Sequence, residues 1–336
     1  MLNTKKLVDY AVALVVIFLL NFILPRMLPS DPLHAIYGDE ALLSMTPAMQ
    51  AEIIHRFALD QTWTEQLTAY LLALLRGDFG YSYFYHAPVT SVIAGVLPWT
   101  LLLTGSTFVL STLLGSLLGI ESGYRRGSKI DGSLMGIMMV ISGFPDFFAG
   151  ILLLLVFGVW LAWLPLSGAF TPYSGFTGTA LVADIANHLI LPLSALVFIR
   201  MAAAYLFSRG AMIGVMGQAY IRTARAKGCP NPAICYRHAA RAALLPMVTA
   251  AGVRFTHVIS NVLFVESVFS YPGLGSLLYK AVLTRDYPLL QGILLLAATL
   301  VLTVNLTTDL LCARLDPRIA AVPDKVREKN HAYPVS

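Results

Sequence analysis

Six stretches of this chain stay apolar long enough to cross a bilayer: Leu7–Leu28, Thr100–Ile120, Gly132–Ala162, His188–Ser208, Pro246–Val268 and Leu289–Leu311. Crossing roughly 30 Å of hydrocarbon takes about 20 residues of helix, and inside it every backbone N–H and C=O must be paired within the segment. The expected fold is therefore an all-α integral membrane protein with six transmembrane helices. Composition agrees, since 12% of the 336 residues are charged against about 25% in a soluble domain. The third stretch is too long for one straight span. Pro145, within "SGFPDFF", is expected to kink or break it, because its ring removes a helical hydrogen bond. "MLNTKK" ahead of the first stretch resembles the start of a signal peptide, but a long apolar run without a small-x-small site reads as a retained first helix.

Lys and Arg sort to one side of such a chain. Lys5 and Lys6, Arg125, Arg126 and Lys129, the Arg222–Arg241 cluster, and Arg314 through Lys329 share it, and the opposite loops hold only Arg26, Arg56, Arg76, Lys280 and Arg285. Positive loops stay in the cytoplasm, so both termini are expected there. The loop from Pro29 to Pro98 then faces outward and is acidic, with Asp31, Asp39, Glu40, Glu52, Asp60, Glu65 and Asp78. The net charge of +5 follows from topology and an anionic leaflet, not from nucleic acid. Residues 1–28 carry the first helix, 29–99 a large external loop between helices 1 and 2, 100–311 the core with a cytoplasmic loop at 209–245, and 312–336 a cytoplasmic tail. Within the external loop "TPAMQAEIIHRFAL" and "WTEQLTAYLLALLRG" read as surface helices, too polar to span. "SGAFTPYSGFTGTA" reads as an external loop and "SYPGLGSL" as a tight turn, with positive φ expected at its glycines.

One polar, basic, helix-forming stretch interrupts the grease: "YIRTARAKGCPNPAICYRHAARAALLP", Tyr220–Pro246. Gln218–Lys227 reads as a helix stopped by Gly228. Asn231 is placed to cap a second helix with Pro232 at its first position, ending near Leu245, where Pro246 opens the fifth span. Arg237 and Arg241, four apart, share a face. On charge alone an ordinary positive-inside loop accounts for all of this. The chemistry missing elsewhere argues for more: the chain has no phosphate loop of the GxxxxGK[ST] kind, no HExxH helix and no GxSxG turn. Such a membrane domain is passive or draws its energy from a partner, and a structured basic knob is what docking that partner needs.

In that stretch the chain resembles the coupling loop of permease subunits from ATP-binding-cassette importers, in the dipeptide, oligopeptide and nickel branch. The wider superfamily has Glu-Ala-Ala, three residues, then Gly; here Arg222-Thr223-Ala224 precede Gly228 by the same interval. "LPSDP", "LDQTW", "RGDFGYS", "LPWTLLL", "YRRGSKID", "WLPLSG", "VESVFSYPGLG" and "RDYPL" match that branch in order over nearly the whole chain. Ser30, Ala58 and Ala243 depart from it, where Gly, Gly and Asn are usual. The resemblance implies the type I importer permease fold and half of a pore in a bacterial or archaeal inner membrane. It also implies a second homologous permease subunit, two ABC ATPase subunits below and an extracytoplasmic substrate-binding protein. ATP and magnesium would be used by the ATPases, so this chain is expected to be no enzyme and to bind no cofactor. Arg222, Thr223, Ala224, Arg225, Lys227, Gly228, Arg237, His238 and Arg241 are the coupling residues so implied. Di- or oligopeptides are the implied cargo; nickel or a metal chelate is the alternative, and a membrane scaffold that moves no solute the reading from another class.

Inside the spans, Arg254, His257 and Asn261 are spaced by three and four, and Glu266 follows. Ionisable groups in hydrocarbon face a pore, a partner or one another, so these four are candidates for the translocation path, with an interhelical network as the equal alternative. Arg200 and Asp309 are candidate partners for them. Thr104, Thr107 and Ser111 form a hydroxyl stripe, and Gly115 with Gly119 permits close helix approach. Met135, Met138 and Met139 read as core filler. Arg285 and Asp286 are candidates to meet a docked protein. Cys229, Cys235 and Cys312 fit neither a disulfide framework nor a zinc pattern, and His34, His55 and His86 lie at unrelated spacings, so no metal site is expected.

Overall fold

The computed structural model describes residues 4–27, 46, 48–49 and 61–315. Within them the regular structure is helical apart from one short hairpin, and residues 161–178 form an irregular connection. Helix α1 (Thr4–Met27) is followed by α2 (Trp63–Leu75), a hairpin of β1 (Tyr81–Ser82) and β2 (Ala87–Pro88), and α3 (Val89–Tyr124). Then come α4 (Lys129–Ser142), α5 (Asp146–Leu153) with a π-helical extension Leu154–Trp160, α6 (Thr179–Met216) and α7 (Ala219–Ala226). A π-helical segment Ala233–Ala240 leads into α8 (Arg241–Val268), and α9 (Leu274–Leu283) and α10 (Tyr287–Leu315) close the chain.

By length and composition α3, α6 and α10 can each cross a membrane, and two bent helix pairs would bring the number to five; the described apolar part of α1, Val8–Ile23, is shorter. Several spans extend beyond their apolar cores: α3 starts at Val89 instead of Thr100, and α6 runs Thr179–Met216 instead of His188–Ser208. Pro145 breaks the third stretch as its ring requires, with α4 and the Asp146–Trp160 segment set at 98°. Of the two external segments, "WTEQLTAYLLALLRG" is the surface helix α2, started by a capping box in which Thr62 and Glu65 bond each other's backbone N–H. Most of "TPAMQAEIIHRFAL", the acidic loop before it, His34 and His55 lie outside the described residues, as does the C-terminal tail beyond Leu315; its first residues, 312–315, continue α10 instead of leaving it.

The most extensive seam joins α3 to α6. A Cβ on Gly115 would sit 2.5 Å from the Met201 carbonyl oxygen, one on Gly119 2.6 Å from that of Tyr205, and one on Gly123 2.8 Å from Met212 Cβ. Small residues every fourth position let the two backbones touch. The hydroxyl stripe Thr104, Thr107 and Ser111 is buried on the same helix. Four buried apolar clusters lie among the described residues, one of them around Met138, Met201, Ala202 and Tyr205 between α4 and α6; the other three follow the bundle axis. One lies midway around Leu103, Leu196, Val262 and Phe269; one at the hairpin end around Val89, Ile93, Leu277 and Leu289; one at the opposite, basic end around Ile120, Met212, Ile234 and Met247.

The motif "VESVFSYPGLG" is a carboxylate-clamped turn at the hairpin end. Glu266 is fully buried, and its Oε2 accepts from the Gly275 N–H at 2.6 Å while its backbone carbonyl accepts from the Tyr271 N–H. Thr100 Oγ1 accepts from the Leu274 N–H at 2.8 Å. The glycines of this turn do not have the positive φ expected of them. They are required by contact: a Cβ on Gly273 would lie 2.1 Å from Glu266 Oε1, and one on Gly275 2.1 Å from the Leu263 carbonyl oxygen.

Candidate functional site

Helix α7 shows its amphipathy in three residues. Ile221 and Ala224, three apart, are buried in the basic-end core, which turns Arg222, Thr223, Arg225 and Lys227 outward into solvent. The helix stops as Gly228 allows. With φ +76° this residue donates to the Arg225 carbonyl at 3.0 Å, and Cys229 donates to that of Ala224 at 3.2 Å, the paired bonds of a Schellman stop. The next helix begins differently from the expectation. Its first carbonyl acceptor is that of Pro230, bonded by the Ile234 N–H, and Asn231 falls inside its first turn instead of before it. Nor does it end near Leu245, because the Ala233–Ala240 segment runs straight into α8 with Pro246 inside the helix. Ile234, Cys235, Ala239 and Ala240 are buried, Arg237 and Arg241 are exposed, and His238 is half-buried. Of the coupling candidates, Arg222, Arg225, Lys227, Arg237 and Arg241 form an exposed cationic set, Thr223 and Gly228 are exposed beside them, His238 is half-buried and Ala224 is buried.

One polar tie holds this knob to the bundle, and a second braces the helices beside it. The Tyr236 hydroxyl donates to Glu121 Oε2 at 2.7 Å, and Glu121 is paired with Arg125 at 2.5 Å, which fastens the second helix of the knob to the end of α3. Deeper, Asp131 collects Arg209 through two bonds of 2.6 and 2.9 Å, the Ser122 hydroxyl at 2.5 Å and the Gly127 N–H at 3.0 Å. Since Ser122 spends its proton on Asp131, the Tyr205 hydroxyl 2.6 Å away must donate to Ser122. This buried latch joins α3, α4 and α6, and it explains why "YRRGSKID" ends on Asp. Neither tie was readable from spacing: Asp131 and Arg209 are 78 residues apart in the chain and Glu121 and Tyr236 115.

Among the translocation candidates, Arg254 sits midway along α8, its guanidinium carbon 5.6 Å from the centre of the Phe207 ring. Asn261 is half-buried on the same helix. The side chain of His257 lies outside the described part of the structure. Glu266 does not belong with them, because its carboxylate is sealed in the turn described above. The partners suggested by sequence also change. Arg200 pairs with Asp146, the first residue after the Pro145 break, and Asp309 accepts from the Tyr10 hydroxyl at 3.2 Å, joining α1 to α10. Thr256 donates to Asn305 Oδ1 at 2.6 Å across α8 and α10. The signal for Asp146 was present in the sequence: an acid directly after a proline within an apolar run.

At the hairpin end, Asp286 is not on offer to a docked protein. It is 1% exposed, accepts from Ser82 Oγ at 2.5 Å and the Phe84 N–H at 3.1 Å, and caps α10 through the Leu289 N–H at 3.2 Å. Burial, and then this carboxylate, raise the Tyr85 phenol above its ordinary pKa. The motifs "RGDFGYS" and "RDYPL" are two halves of one joint.

The family described as the binding-protein-dependent transport system inner membrane component matches residues 111–321. That range takes in the Asp131 latch, the basic knob and all of α8. The chain belongs to this family. As a member it is a membrane transport component and not an enzyme. It is 34% identical over 317 residues, 90% of this chain and 93% of the relative, to the di/tripeptide transport system permease protein DppB of Pseudomonas aeruginosa. It is 32% identical over 315 residues, 94% of this chain and 97% of the relative, to the probable peptide ABC transporter permease protein y4tP of Sinorhizobium fredii. Among solved structures, an inward-facing MetNI methionine ABC transporter chain aligns with a TM-score of 0.54 at 15% identity, covering 68% of this chain and 97% of that one. The family fold is thus the type I importer permease fold.

Proposed function

We propose that this family member is one permease half of an ATP-driven importer of di- or oligopeptides, driven through its basic knob. The observation that carries the reading is the knob itself: a Schellman-stopped helix whose apolar face is buried in the bundle while Arg222, Arg225, Lys227, Arg237 and Arg241 are left in solvent. A surface so anchored and so charged suits a soluble partner with acidic walls. In this reading the knob docks on an ATPase and lies in the cytoplasm with both termini. Six helices cross the membrane, with α1 and the two bent pairs joining α3, α6 and α10. A second permease completes the pore and a binding protein delivers cargo from outside. Closure and reopening of the ATPases rock the knob, and the Tyr236–Glu121 and Asp131–Arg209 ties pass the movement to α3, α4 and α6, giving alternating access. Arg254, with Asn261 and His257 on the same helix, then faces the path. Peptide cargo is favoured over nickel by the relatives, which are named as peptide permeases. The direct test is uptake of a labelled dipeptide into proteoliposomes holding the assembled transporter, ATP inside and binding protein outside. Accumulation above the external concentration is expected; uptake that is indifferent to ATP contradicts the reading.

A further inference from the structure

The middle of α8 holds a cation whose counter-ion is missing from the described chain. All three nitrogens of Arg254 are buried, and none has a hydrogen-bond partner among the described residues. The carboxylates set within the described bundle are engaged elsewhere: Asp131 by Arg209, Asp146 by Arg200, Asp309 by Tyr10 and Glu266 by Gly275. Glu266 is moreover roughly 18 Å further along the helix. A buried guanidinium left in this condition is costly, and the Phe207 ring over it, at 5.6 Å, offsets only part of the cost. An anion that arrived there would be bound strongly, because Arg presents a planar fork matched to a carboxylate.

The aromatic ring over this cation belongs to Phe207. Phe207 is itself 41% exposed, and the space beside it is open: Gly210 and Gly214, further along the same face of α6, have no atom within 4 Å of where a side chain would begin. A turn of one aromatic ring therefore uncovers the guanidinium toward that space.

We propose that Arg254 binds the terminal carboxylate of the transported peptide midway through the membrane, with Phe207 covering the cation when no cargo is present. This rests on the peptide reading above and adds what is recognised. Every linear peptide ends in a carboxylate whatever its side chains, so one buried Arg selects the class without selecting the sequence. Loading and release follow from exchanging one cover, an aromatic face, for another, an anion.

The experiment compares import of one labelled dipeptide as the free acid and as the C-terminal amide, by the complete reconstituted transporter with wild-type chain, Arg254→Gln or Arg254→Lys. Any preference of the binding protein is common to all three, so only the change in acid-to-amide ratio reports on Arg254. The Gln variant is expected to lose about ten-fold in that ratio, the worth of one charge-assisted bond. Lys should retain part of it, and ATPase activity stimulated by the binding protein should persist. An equal loss for acid and amide, or no loss for either, overturns the proposal, the first by making Arg254 a packing or subunit-pairing residue. Failure of the wild-type transporter to import either form would instead strike at the peptide reading itself.

Discussion

Reversing charge at Arg225 and Arg237 together, as Arg225→Glu with Arg237→Glu, is expected to lower ATP-driven import at least about a hundred-fold while the protein still inserts and folds. Both side chains are exposed and the fold uses neither, since the packing of the knob comes from Ile221, Ala224, Ile234 and Cys235. Substitutions at such surface sites ordinarily shift stability by about 0.5 kcal/mol or less. The loss therefore falls on the partner contact, where two acids would meet an acidic wall. Paired measurements of uptake and of ATP hydrolysis by the assembled complex check it: hydrolysis should become independent of cargo as uptake vanishes. Import at the wild-type rate would show that the knob is only a positive-inside loop.

The second large effect is on stability. Asp131→Ala removes the acceptor for four bonds at once and leaves Arg209, whose side chain is 17% exposed, without its carboxylate. Breaking a buried pair from one side costs about 3–5 kcal/mol. The variant should unfold at much lower temperature in detergent and accumulate poorly in membranes. Asp131→Asn, which keeps one oxygen for Ser122 or Arg209, should fall between. Thermal unfolding of the three purified proteins decides it, and equal midpoints would mean that the latch contributes nothing.

What could be read from the sequence divides along physical lines. Local rules held: apolar length located the helices, Gly228 stopped α7 by its freedom at positive φ, Pro145 broke the third stretch, and Gly115 with Gly119 marked the α3–α6 seam. Contacts between distant residues were not readable, because spacing along one helix says which side chains share a face and not what that face meets. Glu266 looked like the outer end of the polar series begun by Arg254, His257 and Asn261, yet its carboxylate is spent on a turn that two glycines make room for. Asp286 looked like a surface charge and is a buried joint between the hairpin and α10. Helix ends beyond the apolar cores were missed for a related reason: the continuations of α3 and α6 are held by neighbours that hydropathy does not register, as Val89 and Ile93 are by Leu277 and Leu289.

All of this turns on whether the cationic helices around Thr223 meet an ATP-hydrolysing subunit. The most direct measurement is cross-linking from a single cysteine at that position, Thr223→Cys with Cys229→Ser, Cys235→Ala and Cys312→Ser to remove the three native thiols, in the assembled transporter in membranes. The account predicts a cross-link to an ATPase subunit whose yield changes when ATP is added. Reaction of that cysteine with an impermeant reagent from the outer face, or a complex in which it cross-links to no nucleotide-hydrolysing protein, would contradict it.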